Sequence, residues 1–135
     1  MRWAASTHSA VSATRPEAET RQFETLVSGL QTPWGIAFRP DGTMLVTERV
    51  GRLRIVANGQ LDPTPISGLP TIYVKQDGGL LDVAVHPDYA KNGWVYLAYV
   101  ETGTAPNTSM TVVIRGRIKD HGWVDQETLF RADQK

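Results

Sequence analysis

The 135-residue chain contains no cysteine, which excludes a disulfide framework, a thiolate-ligated zinc site and a cysteine nucleophile, and leaves the compartment open. It has no excess of either charge, with 14 Lys plus Arg against 14 Asp plus Glu. A general nucleic-acid or anionic-membrane binder needs a basic surplus, so neither partner is expected. No stretch approaches the roughly 18 apolar residues that span a bilayer. Long helical periods are missing too. The motifs of acyl transfer, phosphoryl transfer and nicotinamide binding are also absent: there is no Gly-x-Ser-x-Gly, P-loop or dinucleotide fingerprint.

Residues 1–20 run in Ala, Ser, Thr and charge without hydrophobic period, and are expected to form a disordered arm, since they cannot bury enough apolar surface to offset ordering entropy. Arg2 and Ala10-Val11-Ser12-Ala13 resemble the ends of a secretory signal, but Ser6, Thr7, His8 and Ser9 interrupt the apolar block between them. No intact signal peptide is read there.

From Phe23 onward, short apolar runs alternate with Gly, Pro, Asp and Asn clusters, the spacing of an all-β protein. Strands are expected over 23–27, 34–38, 44–47, 53–56, 80–85, 94–100, 111–118 and 124–130. In Arg39-Pro40-Asp41-Gly42, Pro pre-sets φ and Gly accepts a conformation other residues avoid, so a tight reversal joins two strands. The pattern recurs: Ile36-Ala37-Phe38-Arg39-Pro40-Asp41 aligns with Val83-Ala84-Val85-His86-Pro87-Asp88. Arg52-Leu53-Arg54-Ile55-Val56 and Thr111-Val112-Val113-Ile114-Arg115 then supply a third strand to each copy.

A repeat of about 40 to 50 residues with about four strands has the period of a β-propeller blade. Antiparallel four-stranded blades are therefore expected near residues 23–70 and 71–133. Gly35, Ala37 and Ala84 are small where neighbouring blades would crowd. An ordinary two-sheet sandwich is the alternative. Propellers close with about four to eight blades, and two blades alone would leave strand edges and apolar faces open. A piece of a longer ring is the favoured expectation, and three self-associated copies closing a ring by symmetry is the alternative.

The ordered series Pro33-Trp34-Gly35-Ile36-Ala37-Phe38-Arg39-Pro40-Asp41-Gly42, Met44-Leu45-Val46-Thr47-Glu48-Arg49, Gly51-Arg52-Leu53-Arg54-Ile55, Gly79-Leu80-Leu81-Asp82-Val83-Ala84-Val85-His86-Pro87-Asp88-Tyr89 and Asn92-Gly93-Trp94-Val95-Tyr96 resembles the amino-terminal part of the soluble PQQ-dependent aldose sugar dehydrogenases, the glucose/sorbosone dehydrogenase family. The resemblance covers about residues 23–133. It implies a six-bladed propeller of which this chain forms about two blades, a periplasmic or secreted setting, pyrroloquinoline quinone (PQQ) and calcium as cofactors, and aldose sugars as substrates oxidised at the anomeric carbon. The family's catalytic His-x-x-Gly-Arg element has no match here, because His121 is followed by Gly122-Trp123-Val124. No catalytic residue is carried over, and the chain is expected to be inactive alone.

One cofactor position does fall inside. Where the family commonly has Gln, a small residue and Gly, this chain reads Lys75-Gln76-Asp77-Gly78-Gly79-Leu80. Asp77 stands at the Gln position, and a carboxylate beside a triply acidic quinone is repulsive unless protonated, metal-bound or turned away. A one-residue shift would present Gln76 instead, which Gly78 and Gly79 would allow. Two expectations stay open: a shifted Gln76 contact, or no cofactor contact. Asp77 also favours a second function, a non-catalytic propeller binding carbohydrate or protein.

The remaining candidates have structural readings. His86 is read as a turn histidine, since no partner shares a metal spacing with it. Glu48 and Arg49 are read as an ion pair fixing a strand, and Asp41, Asp82 and Asp88 as turn and cap residues, with no metal ligand assigned. Arg49, Arg52, Arg54, Arg115 and Arg117 are read as solvated strand faces.

Overall fold

The computed structural model describes residues 21–133. The expected arm over 1–20 lies outside the described residues. Eight strands and one short helix follow in order: β1 (Pro33–Phe38), β2 (Met44–Glu48), β3 (Arg52–Ala57), β4 (Gln60–Leu61), β5 (Leu80–Val85), α1 (Tyr89–Asn92), β6 (Val95–Thr102), β7 (Ser109–Lys119) and β8 (Gly122–Arg131). They form two antiparallel four-stranded sheets, each a meander of sequence neighbours, β1-β2-β3-β4 and β5-β6-β7-β8. The expected all-β fold is present.

Three expectations change. Residues 23–27 form no strand, and Phe23 and Leu26 are exposed; apolar residues there have no neighbouring strand with which to pair. The fourth strand of the first sheet is instead the two-residue β4, paired through Val56 and Leu61. The second Pro-Asp corner holds the helical turn α1, closed by Gly93 at φ +68, a conformation that suits glycine. The first corner is the expected tight turn: the Gly42 amide donates to the Arg39 carbonyl at 2.9 Å, and Gly42 has φ +85.

The core lies between the sheets. Leu45, Leu53 and Ile55 from the first pack against Leu80, Val83, Val95, Leu97, Tyr99, Val112, Ile114 and Trp123 from the second. The link from β4 to β5 crosses this seam. Its Ser67 exchanges backbone hydrogen bonds with His121 and Trp123, and the Tyr73 amide donates to the Val100 carbonyl at 2.8 Å. His121 Nε2 also meets Asp62 Oδ2 at 2.7 Å. The sheets approach most closely at β1 and β5. A Cβ on Gly35 would stand 2.7 Å from Asp82 Oδ1 and 3.1 Å from the Asp82 Cα, so the small residue expected at this crowded edge is required by its neighbour. Ala84 instead sits exposed on the far face of the second sheet. The far face of β1 leaves Trp34, Ile36 and Phe38 exposed.

The arginines are not simply solvated. Arg54 is buried, and Glu48 has no exposed surface. Glu48 accepts from Arg52 Nε at 2.5 Å, Arg54 Nη1 at 3.3 Å and the Gln31 amide at 2.6 Å. Arg115 and Arg117 lie over the Trp94 ring, 4.2 and 3.6 Å from its centroid, and pair with Glu127 and Asp125. A flat aromatic face attracts guanidinium planes, which explains why these two arginines lie down on the sheet.

Burial pushes the Glu48 carboxyl up, but the Arg52 hydrogen bond, the Gln31 amide and the charges of Arg52 and Arg54 outweigh it, holding the group below its ordinary value of 4.5. Glu48→Gln is expected to destabilise the fold by about 3 kcal/mol at neutral pH, because the buried Arg54 and the half-buried Arg52 lose their counter-charge. A depressed folded value makes this contribution complete above pH 4.5 and progressively lost as pH falls through the lower folded value. Urea midpoints of parent and variant should therefore converge in acid. Gly35→Ala is expected to cost about 1 to 3 kcal/mol by overpacking the inner edge, read as a lowered thermal midpoint.

Candidate functional site

At one end of the two sheets, the turn after β2 meets the loop that enters β5. Arg49 is the joint between them. Its amide donates to the Thr32 carbonyl at 3.0 Å, its carbonyl accepts from the Leu80 amide at 3.1 Å, its Nε donates to the Gly78 carbonyl at 3.0 Å, and its Nη2 donates to the Gln76 carbonyl. The expected ion pair with Glu48 is therefore not formed, because the Arg49 side chain is given to backbone carbonyls and Glu48 pairs with Arg52 and Arg54. Those carbonyls would otherwise lack a protein donor in a tight loop, and the forked guanidinium caps two of them at once.

The loop is tightly seated. Gly78 and Gly79 are buried. A Cβ on Gly78 would stand 2.5 Å from the Tyr73 carbonyl oxygen, and one on Gly79, at φ +153, would stand 2.6 Å from both Arg49 Cγ and the Arg49 carbonyl oxygen. These glycines serve close approach of backbone to backbone rather than free movement. Gln76 takes a left-handed φ of +55, and Gln76 and Asp77 are both exposed at the crest.

Two hollows flank that crest. Thr32, Trp34, Arg49, Gln76 and Asp77 line one of about 340 Å³. The other, of about 270 Å³, runs from Lys75 to Gly78 and on to Leu81, Val100, Ser109, Met110 and Thr111. The structure therefore brings Gln76 and Asp77 together at a concave surface, and adds Trp34 and Arg49 to them. The sequence places Trp34 only within a strand, and it favours an ion pair with Glu48 for Arg49 over a place lining the cleft. The available signal was Trp34 directly before an obligatory glycine, which hinted at a side chain with nowhere to go but outward.

The other candidates go elsewhere. His86 Nδ1 lies 2.9 Å from the Asp88 amide and 2.9 Å from Asn92 Nδ2, and the ring stacks on Tyr96, so it is the expected turn histidine. Asp41 accepts from the Thr43 hydroxyl at 2.6 Å and its amide at 2.9 Å, which holds its carboxyl below the usual range. Asp82 accepts from the Val83 amide. Among the described residues no group of three or more His, Cys, Asp or Glu could hold a metal ion. To a planar tri-acid, one hollow offers the Trp34 ring, the Gln76 amide and the Arg49 charge on its border, with the Asp77 carboxylate opposing. Among the described residues, no helix is long and apolar enough to cross a membrane.

Two antiparallel four-stranded meanders, packed face to face and crowded along their first strands, define blades of a β-propeller. The glucose/sorbosone dehydrogenase family model matches residues 30–135. The aldose sugar dehydrogenase YliI of Escherichia coli K12 is 38% identical over 119 residues, covering 86% of this chain and 32% of YliI. The solved apo-form of the soluble aldose sugar dehydrogenase from Escherichia coli is 39% identical with a TM-score of 0.73, covering 80% of this chain and 32% of that one. The PQQ-bound aldose sugar dehydrogenase of Streptomyces coelicolor is 26% identical with a TM-score of 0.70, covering 83% and 34%. The chain belongs to the glucose/sorbosone dehydrogenase family. It spans about a third of the length of the curated relatives it matches.

Gly79→Ala is expected to lift the loop from Arg49, because the obstructing atom is a backbone oxygen that cannot rotate away. Amide exchange at Leu80, whose donor bond to Arg49 would break, should rise at least tenfold.

Proposed function

We propose that this chain contributes two blades of a PQQ-dependent aldose sugar dehydrogenase, with Gln76 facing the cofactor and Asp77 beside it, acting on aldose sugars in the periplasm or outside the cell. The observation that carries the reading is the concave surface between Trp34 and the loop crest, where an aromatic plane, a carboxamide and a cation converge in a member of this family. The chemistry that PQQ supplies when bound is acceptance of a hydride from the anomeric carbon, while the sugar hydroxyl proton passes to a base.

The chain's own residues bind and orient. The Gln76 carboxamide can donate to an acidic or quinoid oxygen, and the Trp34 ring offers an apolar plane to a flat ligand. Arg49 keeps its positive charge at the hollow's edge while its hydrogen bonds hold the crest. His86 and His121 are tied to Asn92 and Asp62 and lie away from the hollow, so neither is assigned the proton. No step is assigned to calcium here. A carbohydrate- or protein-binding propeller without catalysis is the second reading, and the Asp77 carboxylate at the crest is the observation that favours it.

Calorimetric titration with PQQ tests the assignment. Gln76→Ala should weaken binding by roughly tenfold or more, the loss of a hydrogen bond to a charged partner, and Asp77→Asn should tighten it by removing a like charge. Unchanged affinity in both variants would remove the crest from the cofactor site.

A further inference from the structure

We propose that Arg49 is a positioning residue that sets the Gln76 side chain toward the hollow by gripping the two carbonyls on either side of Asp77. The inference rests on the Gln76 reading above and extends it to a residue that needs no contact with the ligand.

The geometry is specific to a guanidinium. Nε donates to the Gly78 carbonyl at 3.0 Å, and Nη2 donates to the Gln76 carbonyl. These acceptors are two residues apart, and a planar fork reaches both only if the intervening peptide folds back. Gln76 is at φ +55, a region that costs a non-glycine residue free energy and persists only when surrounding contacts impose it. The Gly78 amide, donating to the Lys75 carbonyl at 2.9 Å, closes the turn beneath.

The arginine is itself fixed. Its amide and carbonyl are bonded to Thr32 and Leu80, and its stem passes over Gly79, where any side chain would collide with Cγ at 2.6 Å. Positional information therefore runs from the end of β2, through the Arg49 fork, to the Gln76 backbone. A lysine keeps the charge but is a point donor on a flexible stem and cannot span the same pair of carbonyls. Electrostatic attraction for an anion would survive that exchange, whereas orientation of the crest would not.

A double-mutant cycle in the full-length protein isolates the effect, with PQQ titrated calorimetrically as the probe and amide exchange at Gly78 as a ligand-free readout. Arg49→Lys should raise the Kd about tenfold and accelerate exchange at Gly78. In a Gln76→Ala background the same exchange should change the Kd less than twofold, because there is no amide left to position. A merely structural role would weaken binding equally in both backgrounds, and that result would overturn the proposal. If Gln76→Ala alone leaves Kd unchanged, the cofactor reading fails instead. Should Arg49→Lys not fold, Arg49→Gln, which can cap one carbonyl, serves in its place; a Kd and a Gly78 exchange rate equal to those of the parent would equally refute the positioning role.

Discussion

The inner strands β1 and β5 come so close that a single methyl group would not fit between Gly35 and Asp82, and most of the arrangement follows from that contact. With the first strands pressed together, the sheets fan apart outward, and the widening space is filled by Leu53, Ile55, Leu97, Tyr99, Ile114 and Trp123. Large residues occupy the outer positions because only there is the gap wide enough. The link between β4 and β5 then has to cross the seam, and it does so as a strap hydrogen-bonded to β6 and to the turn before β8.

The same close approach decides where polar groups collect. At the end of β2 the chain must turn within a few ångströms of the loop entering β5, and backbone carbonyls there cannot all find partners in the sheets. Two devices meet the need. Glu48, inaccessible to solvent, gathers Arg52, Arg54 and the Gln31 amide; a buried carboxylate is tolerable only when its partners replace the lost water. Arg49 turns the other way and caps the carbonyls of Gln76 and Gly78. Adjacent residues with opposite charges therefore avoid one another, each committed to a different part of the framework, and the loop crest that results is the candidate site.

Two features were legible from residue order. The Pro40-Asp41-Gly42 corner and the turn role of His86 could both be read because each depends on neighbours within a few positions. Arg49 and Trp34 could not. Their partners are 27 or more residues away in the chain for Arg49, and no local pattern distinguishes an arginine that caps carbonyls from one that faces water. Arg54 shows the same limit: alternation along β3 suggested an exposed face, yet Asp62 and Glu48 close over it. The strand expected over 23–27 failed for a related reason, since apolar composition signals a strand only where another strand edge is free to pair.

By itself, the order of residues determined the eight-strand alternation in outline, the repeat of strand and Pro-Asp corner, and the family, because turn chemistry and side-chain period act over short spans of chain. The tertiary structure alone decided which charges are buried, why Gly35 and Gly79 admit no side chain, and which residues share a hollow with Gln76. Those outcomes depend on distances between segments far apart in sequence, and only the packing of one sheet on the other sets them.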